Sequence, residues 1–344
     1  LYFFAKFILD FWWLCREPHK AFADEIQKDT NLSLYLLPRG HCKSLIFTVA
    51  HSIQCYIKNP QEPIFILSYS VVQAVKKLLV IKNQFESNQT FRELFPEFGY
   101  PNPKKDSKKW TEEEIVLPGH TGRQESSISA YSILSMPTGL HSRRIKCDDL
   151  VTPENSTSRE QMEKISSAYG MVRSSILQPD GNIQICGTIY DDGDLHRDME
   201  RAGAYRIYKR SASYEIRNGQ EVPCPPDSPR ATALWPVQYG LAALQEIKKD
   251  PTVGNYTFSC QFLLDPSPED ENAFFQLPWF GRYRELPTTL TYYAAGDLAI
   301  SKSEAAAFTA IIVFGLDPNF RIYITHVIRE HFDGMEIVDN LIST

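Results

Sequence analysis

The sequence has no C-x-x-C pair, and its seven cysteines are odd in number. It therefore predicts neither a zinc site nor a disulfide framework, and we expect the protein to work in a reducing cytosol. The most apolar stretch, residues 1 to 14, contains Lys6 and Asp10 and falls short of the roughly 20 apolar residues that a membrane-spanning helix needs. It indicates a buried helix or a docking surface, and no membrane partner. Neither sign of charge dominates, because 36 basic and 42 acidic residues give a net charge of -6, which still leaves room for a local basic groove.

The length and composition indicate a folded protein. A chain of 344 residues is long enough for two domains. Its 43% hydrophobic and 23% charged residues are typical of soluble globular proteins. The first residue is Leu and the last helix-like segment simply stops, so we expect this chain to be part of a longer protein.

The most informative stretch is SLYLLPRGHCKSLIFTVAHSI, residues 33 to 53. Residues 33 to 37 form an apolar run of strand length, and apolar residues recur at helical spacing from Leu45 onward. A tight loop with Lys43 and Ser44 lies between the two. Backbone N–H groups at a helix start bind anions, while a Lys ammonium and a Ser hydroxyl reach phosphate and Mg²⁺. The stretch predicts a loop that binds a nucleoside triphosphate.

The loop departs from the G-x-x-x-x-G-K-[ST] pattern. The two glycines of that pattern would fall at Leu37 and Cys42, and the glycine that is present, Gly40, is out of register. An ordinary helix N-terminus is the alternative interpretation of Lys43 and Ser44 taken alone.

Other segments favour an α/β sheet with acids at its edge. The apolar run at residues 63 to 70 and the helical pattern at 71 to 85 continue the alternation of strand and helix. Asp148 and Asp149 follow an apolar-leaning run, which places two carboxylates where open α/β sheets bind ligands. ATP hydrolysis needs one carboxylate beside Mg²⁺ and another that orients the attacking water. A turn or a helix cap is the alternative for this pair. A further strand, from residue 182, ends near Thr188.

The order of these segments resembles the large terminase subunit of tailed bacteriophages, the DNA-packaging ATPase with an attached nuclease. Five motifs carry the resemblance, in the correct order: LPRGHCKS as a deviant Walker A, IKCDDLVTPENS as Walker B, QICGTIYDDGDLH as the coupling motif, FSCQFLLDP at 258 to 266, and the segment from 292 to 327. The resemblance implies an α/β fold with a RecA-like (ASCE) P-loop ATPase domain, followed by a truncated ribonuclease-H-like nuclease domain.

The resemblance also implies roles in ATP hydrolysis. Lys43 would grip the β- and γ-phosphates, Ser44 and Asp148 would hold Mg²⁺, and Asp149 would activate water. Thr188 would couple hydrolysis to movement, and Arg39 would stabilise transition-state charge. The implied nucleotide-binding residues are Pro38, Arg39, Gly40, His41, Cys42, Lys43, Ser44 and Thr188. A neighbouring subunit would supply a second arginine, for which the candidates are Arg123, Arg143 and Arg144. The usual T-G-R-H run is replaced by Thr138 to His141.

For the domains, we expect an ATPase domain at residues 1–275, with a small lid or linker region at about 200–275, and the N-terminal part of the nuclease domain at 285–344. The resemblance makes Asp297 the first nuclease acid, for Mg²⁺ or Mn²⁺. The second and third acids would lie beyond residue 344, so we expect this chain not to cut DNA. Asp317 is predicted to be a turn residue between two strands, and Asp333, Glu336 and Asp339 to be exposed acids.

The leading hypothesis is an ATP-driven motor that moves double-stranded DNA into a procapsid. The implied partners are DNA, the portal protein, the small terminase subunit and further copies in a ring, in the host cytoplasm on the procapsid. Possible DNA contacts are the lysines within 104 to 109, Arg282 and Arg284. One alternative is another RecA-like helicase or translocase. A second is a non-catalytic scaffold with a decayed loop, suggested by Leu37 and Cys42.

Overall fold

The computed structural model describes residues 1–122, 124–137, 139–156, 158–266, 279–300 and 308–343. The chain divides into two compact units, Leu1–Asp270 and Glu271–Thr344. Each unit has its own sheet, so the two are described separately.

The first unit is built on a seven-stranded sheet in the order β3-β4-β2-β5-β6-β1-β7. Its strands are parallel except for β3, which runs antiparallel to β4. Buried parallel sheets need helical crossovers on both faces, and this requirement explains the alternation of strands and helices along the chain. The strands are β1 (Ser33–Leu36), β2 (Ile64–Ser68), β3 (Glu114–Ile115), β4 (Ile128–Ser132), β5 (Ser142–Asp148), β6 (Leu177–Gly187) and β7 (Arg206–Lys209).

Helices cover both faces of this sheet. The two faces of β1 and β2 belong to separate apolar clusters, as the two-residue period of a strand requires. Tyr35 and Ile66 lie in one cluster, and Leu34 and Phe65 lie in the other. The helices are α1 (Ala21–Ile26), α2 (His51–Lys58), α3 (Val71–Ser87), α4 (Gln89–Leu94), α5 (Pro103–Asp106), α6 (Arg159–Met171) and α7 (Leu195–Ala202), with π-helical turns at Phe4–Ile8, Arg16–Lys20, Leu45–Ala50 and Val172–Ile176 and 3-10 turns at Pro96–Phe98 and Ile133–Ser135.

The apolar opening segment is partly core and partly surface. Ala5, Leu9 and Leu14 are buried in the cluster shared with the sheet, whereas Phe7 and Trp12 are more than half exposed. The buried residues agree with the predicted buried helix, and the docking surface, which was the alternative, stays a prediction. Across the described ranges, no helix has both the length and the apolar character that crossing a bilayer requires.

A small antiparallel sheet follows the main sheet in the first unit. Its strand order is β10-β8-β9, and it lies near a separate apolar cluster that contains Leu244, Phe258 and Phe262. These residues fall in the region predicted as a lid or linker. The elements are β8 (Ser213–Arg217), β9 (Gln220–Pro223), β10 (Thr232–Ala233), α8 (Leu241–Lys249), α9 (Asn255–Phe258) and a π-helical turn at Ser259–Leu263.

The second unit contains an antiparallel sheet in the order β11-β12-β13, with strands β11 (Thr291–Asp297), β12 (Thr309–Leu316) and β13 (Ile322–Glu330) and helix α10 (Gly334–Ser343). Asp317 is the turn residue that the sequence predicted, because its Oδ1 accepts hydrogen bonds from the backbone N–H groups of Asn319 and Arg321.

The prediction of exposed acids on the last helix was wrong for two of the three. Asp333 and Glu336 are half-buried, and each accepts a hydrogen bond from the backbone N–H of the other. They form a capping box at the start of α10. Asp339 is exposed, as predicted.

Helix α3 should depend on the aromatic residues near its end. Phe85 is fully buried, with its ring centroid 5.8 Å from Tyr56 and 5.1 Å from Phe91. We expect Phe85→Ala to lower the free energy of unfolding by about 3–5 kcal/mol, because truncating a buried aromatic residue leaves a cavity. Leu79→Ala, on the exposed side of the same helix, should stay within about 0.5 kcal/mol. Urea denaturation measures both, and equal losses would contradict this packing.

Candidate functional site

The candidate site lies at the carboxyl edge of the main sheet, where three strands end side by side. β1 leads into the loop that carries Lys43, β5 ends at Asp148, and β6 ends just before Thr188. β6 lies between β1 and β5 and pairs with both in parallel. The fold therefore brings together segments about 100 to 150 positions apart in the sequence, at the edge where parallel sheets bind ligands.

The loop adopts a turn that needs two residues in the left-handed region. Gly40 has φ +80° and Cys42 has φ +55°. A side chain at Gly40 would meet the Tyr239 hydroxyl, since a Cβ there would lie 2.0 Å from Tyr239 Oη. Cys42 stands where the usual pattern has glycine, and it takes the positive φ that glycine normally supplies. The loop thus keeps its turn without that glycine.

Three residues that follow the small antiparallel sheet along the chain, Trp235, Tyr239 and Gln261, contact the loop. The backbone N–H of Arg39 donates to the Gln261 carbonyl oxygen at 3.1 Å, and its Nη1 donates to Gln261 Oε1 at 3.3 Å. The ring of His41 stacks on Tyr239 with centroids 4.7 Å apart and lies 5.8 Å from Trp235. Burial lowers the pKa of His41 to about 4, so its ring is neutral near pH 7.

Asp148 is fully buried and accepts two hydroxyl hydrogen bonds from the helical segment behind the loop. Ser44 Oγ donates to its Oδ1 at 3.0 Å, and Thr48 Oγ1 donates to its Oδ2 at 2.5 Å. Ser44 and Thr48 are four residues apart, which places them on the same side of a helix. The carboxylate is therefore fixed against the start of this helical segment.

Asp149 lies beside two lysines. Its φ of +56° turns the chain at the end of β5, and its side chain is 31% exposed. Lys43 Nζ lies 3.6 Å from its Oδ1, and Lys77 Nζ lies 3.6 Å from its Oδ2. Lys77 also lies 3.5 Å from Asp148 Oδ2. Two ammonium groups thus meet two neighbouring carboxylates.

The pKa values of the two acids are shifted in opposite directions. Burial raises the pKa of the Asp148 carboxyl, and the ammonium of Lys77 opposes that shift. Burial also acts to raise the pKa of Asp149, but Lys43 and Lys77 outweigh it and hold that pKa below its usual value. Burial acts to lower the pKa of Lys43, whereas Asp149 and other nearby groups raise it. Asp149 is therefore ionised, and Lys43 is charged, at neutral pH.

Thr188 is buried and contacts the loop strand instead of the acids. Its hydroxyl donates to the Leu37 carbonyl oxygen at 3.1 Å, and its own carbonyl oxygen lies 3.1 Å from His196 Nδ1 on α7. The end of β6 is bonded on both sides, because Leu37 N–H donates to Gly187 O at 3.3 Å and Asp149 N–H donates to Cys186 O at 3.0 Å.

The arginine candidates lie in different surroundings. Arg144 is 12% exposed and binds Asp29 through two hydrogen bonds, at 2.8 and 3.0 Å, and Glu62 at 3.3 Å. It lies near the start of β5, at the sheet edge opposite Lys43, and holds that edge together. Arg143 is half exposed and pairs with Asp180. Arg123 lies outside the described residues.

Asp297 lies in the second unit, as the last residue of a strand whose residues are all exposed. Within the described ranges, no group of three His, Cys, Asp or Glu side chains could hold a metal ion. Two-metal hydrolysis needs several converging carboxylates. The described residues around Asp297 therefore do not fit a two-metal nuclease centre.

Sequence reasoning missed Thr48, Lys77, Tyr239 and Gln261. Thr48 could have been found, because it lies one turn after Ser44 on the face of the helix that returns to the sheet. Lys77 gave a weaker signal, as a lysine beside the buried stripe of Ala74, Leu78 and Ile81 on α3. Tyr239 and Gln261 are about 200 positions from the loop, and no local pattern connects them to it.

The donor set at Asp148 fits a magnesium ion that arrives with nucleotide phosphates. Ser44 Oγ and Asp148 Oδ1 are hard oxygen donors, the kind that Mg²⁺ prefers. Mg²⁺ is usually held by one or two carboxylates together with substrate phosphates, and not by an all-protein cage.

Comparisons with known proteins found similarity among solved structures only. No protein family model matches the chain, and no curated protein matches it. The chain is similar to the large terminase of bacteriophage HK97 (14% identity, 91% of this chain, 63% of that chain, TM-score 0.45). It is also similar to the large terminase of a thermophilic bacteriophage (8%, 98% and 72%, TM-score 0.38) and to that same protein in complex with ADP (7%, 98% and 73%, TM-score 0.36). The chain thus spans about 63% of the length of the HK97 protein. The TM-scores of these three structures are below 0.5.

Removing the Thr48 hydroxyl should destabilise the fold. Thr48→Val keeps the shape of the side chain but takes one donor from the buried Asp148 carboxylate. We expect it to lower the free energy of unfolding by about 1.5–3 kcal/mol, the usual contribution of a hydrogen bond to a charged group. Thr48→Ser, which keeps the hydroxyl, should lose less. Thermal and urea unfolding measure both, and a Val variant as stable as the wild type would count against this hydrogen bond.

Proposed function

We propose that this chain is the ATP-hydrolysing motor of a phage large terminase, which moves double-stranded DNA into a procapsid. The observation that carries the proposal is that Lys43, Ser44, Asp148 and Asp149 converge at one sheet edge. Ser44 Oγ lies 3.0 Å from Asp148 Oδ1, and Lys43 Nζ lies 3.6 Å from Asp149 Oδ1. An ammonium, a hydroxyl and two acids are the groups that phosphoryl transfer to water requires. The five motifs in terminase order assign the motor to DNA packaging.

Each residue has a role set by its chemistry. Lys43 and the backbone N–H groups of residues 40 to 44 bind the phosphates. Pro38 and Arg39 lead into this loop, and the Arg39 N–H is already bonded to the Gln261 carbonyl oxygen. Ser44 and Asp148 would hold Mg²⁺, which would supply positive charge beside the transferred phosphoryl group. Asp149, ionised at neutral pH, orients the attacking water and accepts its proton. Lys43 exchanges its contact with Asp149 for the phosphates, so binding of ATP frees that carboxylate on one side.

Arginines complete the charge balance in this proposal. Arg39 projects from the loop, where it stabilises transition-state charge once it leaves Gln261. Arg123, Arg143 and Arg144 are the arginines proposed to act on a neighbouring subunit, and of the two that the structure describes Arg143 is the better candidate. Its half-exposed side chain has one acidic partner, whereas the two carboxylates bound to Arg144 oppose a change of partner.

The proposed partners follow from packaging. They are double-stranded DNA, the portal protein, the small terminase subunit and further copies of the chain in a ring, in the host cytoplasm on the procapsid. A motor that accepts every sequence it passes must bind phosphates and not bases. The lysines within 104 to 109, Arg282 and Arg284 are the proposed DNA contacts.

Two alternative functions share part of this support. Another RecA-like helicase or translocase would use the same loop and acids, but it would not explain the segment from 292 to 327. A scaffold with a decayed loop was suggested by the missing glycines. The left-handed Cys42 favours a working loop instead, because the turn is kept without glycine.

The nuclease part of the proposal concerns the full-length protein. In it, Asp297 would be the first of several acids that bind Mg²⁺ or Mn²⁺. We expect the 344-residue chain not to cleave plasmid DNA with either metal, because the described part of the second unit offers no converging set of acids. Gel analysis of plasmid incubated with the purified chain measures this. Metal-dependent cleavage that disappears in Asp297→Ala would overturn the expectation.

The motor proposal is tested at Lys43. Lys43→Ala should lower DNA-stimulated ATP turnover by about 100-fold or more, because it removes a cation directed at the developing phosphoryl charge. Lys58→Ala, an exposed lysine at the end of the helix that follows the loop, is the matched control and should turn over ATP normally. If turnover persists in Lys43→Ala, the loop assignment is wrong. Failure of the wild-type chain to bind a fluorescent ATP analogue with Mg²⁺ would favour the scaffold.

A further inference from the structure

A second lysine, which no sequence motif assigns, joins the two acids of the site. Lys77 Nζ lies 3.5 Å from Asp148 Oδ2 and 3.6 Å from Asp149 Oδ2. It also donates to Ser68 Oγ at 3.1 Å and to the Asp148 carbonyl oxygen at 3.4 Å. Its side chain is only 11% exposed. Four oxygen atoms thus surround an ammonium that has three protons to donate.

The position of this ammonium is set by the fold. Lys77 lies on α3, a 17-residue helix whose first turn is capped by the Ser70 side chain and whose buried stripe packs on the sheet. β2, the strand that precedes α3, is the sheet neighbour of β5, so the early turns of α3 lie beside the end of β5. A flexible lysine fixed by Ser68, at the end of β2, is therefore held against the acids.

Asp149 needs a cation that does not leave during turnover, because Mg²⁺ is proposed to bind at Asp148 and Lys43 to turn to the phosphates. Like charges on neighbouring side chains repel each other much more strongly in a partly buried site than in bulk water. Lys43 compensates for this repulsion only until it binds phosphates. Among the described residues, the basic side chains within 4 Å of the Asp149 carboxylate are Lys43 and Lys77. Lys77 contacts both carboxylates, and the proposed reaction gives it no other partner.

We propose that Lys77 is a positioning residue that holds the Asp149 carboxylate in place beside Asp148 while Lys43 is engaged with nucleotide. This inference rests on the proposed ATPase function. The Lys77 ammonium forms an ion pair with one oxygen of each acid, Asp149 Oδ2 and Asp148 Oδ2, and the latter also accepts the Thr48 hydroxyl. The other oxygens face Ser44 and Lys43, where nucleotide is proposed to bind. Lys77 therefore orients the water-activating carboxylate without contacting the substrate.

The test compares Lys77→Met with Lys76→Met, an exposed lysine one position earlier on the same helix. We expect Lys77→Met to lower kcat by about 10–100-fold, the usual effect of losing a group that orients a reacting side chain. The KM for ATP and the Kd for a fluorescent ATP analogue with Mg²⁺ should stay within about threefold of wild type, since ground-state binding is unchanged. Lys77→Arg keeps the positive charge and should recover part of kcat. Lys76→Met should match the wild type.

Each outcome has a clear consequence. Normalising kcat to the sites that bind the analogue removes any effect of partial unfolding, and Lys77→Gln is measured in parallel in case the Met variant does not fold. A Met variant with kcat within about twofold of wild type overturns the proposal, as does one whose kcat and analogue affinity fall together. An Arg variant as slow as the Met variant also overturns it. If the wild-type chain binds no analogue, the ATPase function fails together with this inference, whereas normal binding and turnover by both wild type and Lys77→Met refute the role of Lys77 alone.

Discussion

The site depends on the burial of Asp148. An ionised carboxylate removed from water is very unfavourable unless hydrogen bonds and opposite charge replace its hydration. Ser44, Thr48 and Lys77 supply these groups, and each comes from an element that the main sheet places beside the end of β5. The requirement to satisfy one acid therefore fixes the start of the helical segment behind the loop and the early turns of α3 against the same strand. The position of the loop residue Lys43 is fixed as well, because Lys43 is the neighbour of Ser44 in the chain.

The contact between the helical segment behind the loop and β5 extends well below the site. Residues 44, 48 and 51 recur at helical spacing, and residues 148 and 146 recur at the two-residue spacing of a strand. Asp148 meets Ser44 and Thr48, while Lys146 Nζ lies 2.8 Å from His51 Nδ1 and 4.0 Å from the Phe47 ring centroid. Burial lowers the pKa of Lys146 to about 8. A polar seam thus runs through an otherwise apolar interface, and it sets the register between helix and strand.

The parts of this site that the sequence predicted are those set by local patterns. An apolar run followed by Lys43 and Ser44, and another followed by Asp148 and Asp149, identify strand ends, and parallel strands bring their carboxyl ends to one edge. Lys77 could not be assigned in this way, because its relation to the acids depends on β2 lying next to β5, and strand order is not written in any one segment. Tyr239 and Gln261 were missed for a related reason. They contact the loop, but they follow the small antiparallel sheet and are far from the loop in sequence. Cys42 stands where the motif has glycine, so a comparison of residue types counts against the loop. What the loop requires is a positive φ at this position, and Cys42 supplies it.

The end of β6 links the two halves of the site. Gly187 O accepts the N–H of Leu37 from the loop strand, and Cys186 O accepts the N–H of Asp149. The Thr188 hydroxyl donates to Leu37 O, and the Thr188 carbonyl oxygen lies within hydrogen-bonding distance of His196 Nδ1 on α7. These hydrogen bonds connect the loop strand to the acidic turn and to α7 through the end of β6. In the proposed motor, coupling through Thr188 needs no contact with phosphate, because its hydrogen bonds already join the loop to the helix that follows.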